Sequence, residues 1–480
     1  MYENKTTTSG FALKQNKLTL LGRLDKLLKA LSKRFQKMQH NTTFPFVFRQ
    51  SIGFAVVGLS LTFAQSASAV DLGPFTLTGF AKAEVSRASN QCSDCQLNAG
   101  EARHRPWADA LAQGKAFGTA EANVTLFQPY LSTKEFDLGN GYKVKGLLSQ
   151  RWRDGKQDIL GITYEQNATL MHENYGSVQV GAFPTRSWSL ADYPYGTNVG
   201  IADSWASSGA GYGLLQRAVR VGGPLMDVAG GDLHLEATYD AGDAKWKVNK
   251  PEFYELYAKF VKGPLILDAV AQSAKNGQAV AWGHAPFVAT TTQQPFIGQN
   301  NLPLLVDGNK QSIVMFMARY QLNAKTDLYG GIRHNQWSGT KAVVTDYVHP
   351  NALWNDMFNV DGVDAATNKA YSATSTDFSL GAVYRFAPKW NVNTGMVYLG
   401  KASTKNPVER GQSNTMLLNT LGVGYEIQPG FSVYGFSGVV NFGKKGLAPL
   451  SMPGHAAFTG VDSRVARSGN WMGVGLVYTY

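Results

Sequence analysis

Residues 469–480 read "GNWMGVGLVYTY", and the chain stops there on an aromatic residue. Met472, Val474, Leu476, Tyr478 and Tyr480 fall on one side of an extended chain, with Gly473, Gly475 and Thr479 on the other. Strict period-2 alternation describes a strand whose two faces meet different solvents. Aromatics at the terminus and two residues before it suit the interfacial girdle of a strand that crosses lipid. A soluble sandwich edge would alternate in the same way, so the rest of the chain has to decide.

The N-terminal region favours the membrane. Residues 44–69, "FPFVFRQSIGFAVVGLSLTFAQSASA", carry one Arg, an apolar run from Ile52 to Phe63, and an A-x-A-like end at Ala67, Ser68 and Ala69. That is the pattern of a secretory signal peptide, and its apolar run is shorter than the roughly 20 residues a spanning helix needs. Upstream, Leu21, Leu24, Leu28, Leu31 and Phe35 recur at helical spacing among basic residues, as in a helix lying on a membrane surface. The simpler expectation makes Met38 the true start, 1–37 an extension upstream of it, 38–69 the signal peptide and 70–480 the mature barrel domain. Most of the formal net charge of +11 then leaves with the leader, and nothing calls for nucleic acid as a partner.

Past residue 69 no apolar run is long enough for a transmembrane helix, whereas Gly is abundant (51), aromatics make up 12% and charged residues only 16%. A barrel predicts that mixture. Sixteen alternating segments can be read: 75–87, 117–136, 142–153, 162–173, 177–183, 214–221, 232–240, 252–261, 265–274, 311–321, 326–337, 376–386, 390–401, 416–427, 431–442 and 467–480. Tight turns such as "NG", "KGP", "APK" and "QPG" alternate with longer connections, notably 88–116, 184–213, 275–310, 338–375 and 444–466. Short turns on one rim and long loops on the other are what a transmembrane antiparallel 16-stranded β-barrel requires, and a sandwich has no reason to sort its loops so.

Facing follows from the same alternation. Tyr142, Val144, Leu148 and Trp152 are expected outside against Lys143, Lys145, Ser149, Arg151 and Arg153 inside; Phe378, Leu380, Ala382, Tyr384 and Phe386 outside against Asp377, Ser379 and Arg385. A barrel of this size is too wide for side chains to fill, so a polar inner face would enclose water. Pairing of the first and last segments would leave no backbone edge in hydrocarbon.

With its signal peptide, strand count, long connection after the fifth strand and terminal "GLVYTY", the whole mature chain resembles the trimeric sixteen-stranded general porins of Gram-negative outer membranes, in particular the porin-like proteins of β-proteobacteria. The resemblance implies residence in the cell outer membrane as a homotrimer in contact with outer-membrane lipid. It implies passive passage of small hydrophilic solutes and ions, and no cofactor or metal. It implies that Leu476, Tyr478 and Tyr480 form the signal read by the barrel-assembly machinery, and that 184–213 folds inward as the third loop to form the constriction. Two departures stand out: the last residue is Tyr480 where porins usually end in Phe, and "YPYGTNVG" replaces the usual "PEFGG" of the third loop.

Rings of charge across a narrow waist set selectivity. The basic candidates for the lumen are Arg151, Arg153, Arg217, Arg319, Arg333 and Arg385, opposed by Asp192 and Asp203 on the inserted loop, with Arg186 assignable to either side. Their excess points to a mild anion preference; the alternative is that several of them only pair with nearby carboxylates and hold the loop down. Trp188, Tyr193, Tyr195 and Trp205 crowd the same loop, either as a stacking surface for solutes or as packing against the wall. Cys92 and Cys95 in "QCSDCQ" admit a local disulfide, a redox C-x-x-C or half a metal site; an oxidising compartment favours the disulfide.

Two other classes compete with a pore. One is an enzymatic barrel of lipase or protease type; His104, His172, His234, His284, His334, His349 and His455 are scattered, and no G-x-S-x-G or H-E-x-x-H accompanies them. The other is an adhesin or receptor working through long loops, for which a plugged lumen rather than a charged one is expected.

Overall fold

The computed structural model describes residues 69–89, 119–153, 156–157, 164–190, 214–240, 252–275, 309–339, 363–364, 366–367, 369–407, 410–411, 413, 415–443 and 468–480, all within one compact unit, Leu59–Tyr480. The proposed leader and signal peptide up to residue 68 lie outside them, as do Cys92, Cys95, Asp192, Tyr193, Tyr195, Asp203 and Trp205.

Sixteen antiparallel strands close into a barrel. In chain order they are β1 (Phe75–Ser89), β2 (Thr119–Thr133), β3 (Tyr142–Ser149), β4 (Glu165–His172), β5 (Gly176–Pro184), β6 (Leu214–Gly222), β7 (Gly231–Asp240) and β8 (Glu252–Lys262). There follow β9 (Leu265–Lys275), β10 (Asn309–Asn323), β11 (Thr326–Gly339), β12 (Ser372–Ala387), β13 (Trp390–Leu399), β14 (Met416–Gln428), β15 (Phe431–Phe442) and β16 (Ser468–Thr479). Phe136–Gly139 prolongs β2 into its hairpin with β3, and Val70–Leu72 folds back on the start of β1. Each strand pairs with its neighbours in sequence, and β16 pairs with β1 from Phe80 opposite Thr479 to Ser89 opposite Asn470. The sixteen described strands of the barrel are thereby left without a free edge, the condition for β-structure in hydrocarbon.

Local chemistry explains the reversals. In "GNG" all three residues take left-handed dihedrals, with φ of 83° at Gly139, 54° at Asn140 and 79° at Gly141, a conformation that Gly and Asn tolerate best.

The outer wall is apolar and its side chains are not packed against other described parts of the chain. Phe316, Leu380, Met472 and Val474 are each more than half exposed. Aromatics gather near the short turns: Trp390 lies 4.6 Å from Tyr425 and 6.1 Å from Phe386, and Tyr478 stacks on Tyr480 at 5.8 Å. Among the described residues no helix is long and apolar enough to cross a membrane.

The inner wall is less uniformly polar than alternation suggests. On its loop-side half, Ile313, Met315, Val397, Leu399, Met416 and Leu418 face inward and are almost wholly buried. Phe183, Leu215, Ala218, Phe253 and Ala274 form a second buried cluster near the long-loop rim. This half of the interior is a packing surface.

The quoted terminal stretch shows why its small residues matter. A Cβ on Gly475 would come within 2.4 Å of Cζ of Tyr434. The bare glycine lets that ring lie across β16, so that the hydroxyl reaches Glu84 on β1 at 2.8 Å. A side-chain bond from β15 to β1 thus reinforces the strand pair that closes the ring.

Candidate functional site: the inner wall and the base of the third loop

After β5 the chain turns inward through α1, a four-residue helical turn, Arg186–Ser189. Thr185 and Ser187 are fully buried. The base of the loop is held by wall carboxylates that alternation turns toward the lumen. Glu255 on β8 accepts the backbone N–H of Arg186 at 2.9 and 3.0 Å, and that of Ser187 at 3.5 Å. Gln272 on β9 donates to the Ser187 hydroxyl at 2.7 Å and to Glu255 at 2.5 Å. Glu236 on β7 binds the guanidinium of Arg186 through both oxygens. Burial opposes the charge on Arg186, but the bond to Glu236 outweighs it and holds the pKa above the ordinary arginine value. His234 joins the same carboxylate at 3.0 Å.

Arg220 on β6 completes this clamp. It donates to Thr238 and to the carbonyl of Pro184, both at 2.9 Å, and lies over the ring of Phe183 at 4.5 Å. None of Glu236, Glu255, Arg220 or Gln272 stands out in the sequence. Their inward parity is readable there, but their convergence depends on the register of four strands.

The arginines singled out by sequence meet different fates. Arg151 is 7% exposed, with Nη1 donating to the Tyr164 hydroxyl at 3.3 Å and its guanidinium 5.6 Å from that ring. Arg153 is the partner of Leu126 in the ladder. Arg217 is exposed and falls in the bulge between Leu215 and Ala218, its N–H held by Asp240 at 3.2 Å. Arg333 is fully buried and gives Asp377 two bonds, at 3.1 and 2.8 Å; Asn335 and the N–H of Gly400 donate to the same carboxylate at 2.8 Å each. Arg319 and Arg385 converge on Oδ2 of Asp327 at 3.1 and 2.7 Å, and remain 36% and 42% exposed.

A pattern emerges around the lumen. The inward carboxylates Glu84, Glu165, Glu236, Asp240, Glu255, Asp268, Asp327 and Asp377 are each less than a tenth exposed. Lys143, Lys145 and Lys259 on the turn-side half are exposed, and Arg319 and Arg385 are partly so. Asp137, Asp227, Asp232 and Glu426, close to the short turns, are exposed carboxylates on the same face, and Lys143 is ion-paired with Glu135 at 3.2 Å. Cations therefore stand in front and most anions behind. Among the described residues no three metal-binding side chains cluster, and none of His172, His234 and His334 bonds a serine hydroxyl.

No family model and no curated protein matches the chain. Solved structures do. The outer-membrane OmpT of Vibrio cholerae aligns with a TM-score of 0.51 at 12% identity, over 86% of this chain and all of that one. An anion-selective porin from Comamonas acidovorans aligns with a TM-score of 0.53 at 14% identity, over 85% of this chain and 99% of that one. The trimer form of in-vitro folded V. cholerae OmpT gives 0.50 at 12% identity, over 85% of this chain and all of that one. At such identities the likeness is one of fold: this chain has the architecture of bacterial outer-membrane barrels, porins among them.

Proposed function

We propose that the protein is an outer-membrane porin, a passive channel for small hydrophilic solutes with a mild preference for anions, and that it performs no chemistry. The single observation that carries this reading is the layering of charge on the inner wall, with most wall carboxylates buried and, on the turn-side half, lysine and arginine ends exposed toward the lumen. Where exposed charges of one sign are in excess, a low-dielectric wall concentrates the opposite ion, so a modest gain of anions over cations follows. The constriction is assigned in this proposal to 184–213, which lies outside the described residues beyond Leu190; the support is that its base at Arg186 is fixed to the wall by Glu236 and Glu255. The anion-selective porin among the fold neighbours supports the preference by analogy, and the trimer form of V. cholerae OmpT supports a homotrimer in the same way. The barrel-assembly machinery as reader of Leu476, Tyr478 and Tyr480, the signal peptide at 38–69 and the Cys92–Cys95 disulfide belong to the same proposal.

The test is single-channel recording in planar bilayers under a salt gradient. Current steps arriving in threes, with a reversal potential on the anion side, are expected. A folded barrel that passes no current would overturn the channel reading and redirect attention to hydrolase assays and to binding by the outer loops.

A further inference from the structure

The exposed arginine pair on the turn side has no structural use for most of its donors. A guanidinium carries five N–H groups, and Asp327 engages one nitrogen of each arginine, both on the same oxygen. Arg319 also lies 5.9 Å from the Tyr329 ring, and the backbone N–H of Arg385 goes to the carbonyl of Lys325. Nothing else in the described structure consumes the two forks, and both are open to the lumen. Two cations against one buried carboxylate leave a single positive charge unanswered.

We infer that Arg319 and Arg385, positioned by Asp327, form a binding subsite for a small monocarboxylate anion near the periplasmic mouth of the pore, away from the loop base. The inference rests on the anion-preferring channel reading and names the solute class for it. The forks match a planar carboxylate in shape, and one such anion neutralises the cluster. Asp327 has two effects at once: it holds the two guanidiniums side by side, and it weakens the site by occupying part of it. Charge cancellation sets the affinity low enough for a solute to leave, as conduction requires.

The experiment is titration of chloride conductance with potassium propionate, added to either side of single wild-type, R319Q, R385Q, R385K, D327N and R319Q/R385Q channels. Wild-type conductance is expected to fall saturably. Access is expected to be easier from the side of the short turns. Losing one charge-assisted bond should raise the half-saturating concentration about tenfold in R319Q and in R385Q, with no saturable fall in the double variant. R385K keeps the charge but not the fork and should lie between, whereas D327N should bind more tightly than the wild type. Unchanged titration in folded, conducting R319Q/R385Q would overturn the subsite while leaving the channel intact. Inorganic phosphate acting at concentrations as low as propionate would overturn the monocarboxylate assignment. Were the wild type to pass no current, the channel reading would fail by itself; saturation-transfer NMR of propionate on detergent-folded wild type and R319Q/R385Q would then decide the subsite separately.

Discussion

One strand carries two opposite treatments of the same pair of residue types. On β11, Arg333 meets Asp377 with both side chains fully buried, and Asn335 and the N–H of Gly400 take up the remaining acceptor capacity. Six residues nearer the short turn, Asp327 is equally buried, yet its two arginines lie open to the lumen. The first arrangement ties β11 to β12 and to the chain just after β13. The second stores positive charge on a surface. Burial decides which: a sealed pair contributes through the cost of separating it, an exposed pair chiefly through the field it presents.

That contrast can be broken most forcefully at the sealed end. Arg333→Met leaves Asp377 buried without its charge partner and is expected to cost about 3–5 kcal/mol of folding free energy, measured by urea unfolding from lipid vesicles. Arg333→Met combined with Asp377→Leu should recover only part of that loss, because Asn335 and the N–H of Gly400 then lack an acceptor; a double variant less stable than the single would show that those donors outweigh the orphaned charge. Gly475→Val tests a second tightly packed contact. It drives a side chain into Tyr434 at the closing seam and should cost about 1–3 kcal/mol by the same assay. Glu255→Gln, at the loop base, keeps the size but weakens the grip on Arg220 and on the N–H groups of Arg186 and Ser187. A loss of about 1–2 kcal/mol is expected, together with noisier single-channel current; quiet current would detach the clamp from the constriction. At the open end, Arg385→Gln should change stability by less than about 1 kcal/mol while moving the reversal potential toward cation preference. A large stability loss there would erase the distinction between the two clusters.

The arginines show how far alternation carries. It turned Arg151, Arg333 and Arg385 inward alike, yet only Arg385 offers its charge to the lumen. Arg151 is buried against Tyr164 and Arg333 is locked to Asp377, and neither partner is close enough in sequence to announce itself. Arg217 falls in a bulge, which moves a residue out of the regular pleat without leaving a mark in the local pattern. The inward Ile313, Met315 and Met416 lay outside the expectation of a polar interior, because hydropathy does not say which part of an inner wall is packed and which is wet.

The sequence by itself determined the barrel. Two solvents on two faces impose a period of two, reversals need Gly, Asn or Pro, and a strand's facing needs no knowledge of its neighbours. Segments such as 431–442 and 326–337 therefore coincide with β15 and with most of β11. Only the tertiary structure decided which inward charges are buried against one another and which stay exposed on the inner wall. That outcome depends on the register of strands tens to hundreds of residues apart, as between Glu84 and Tyr434, and on burial, which sets the energy of a charge and has no periodicity to read.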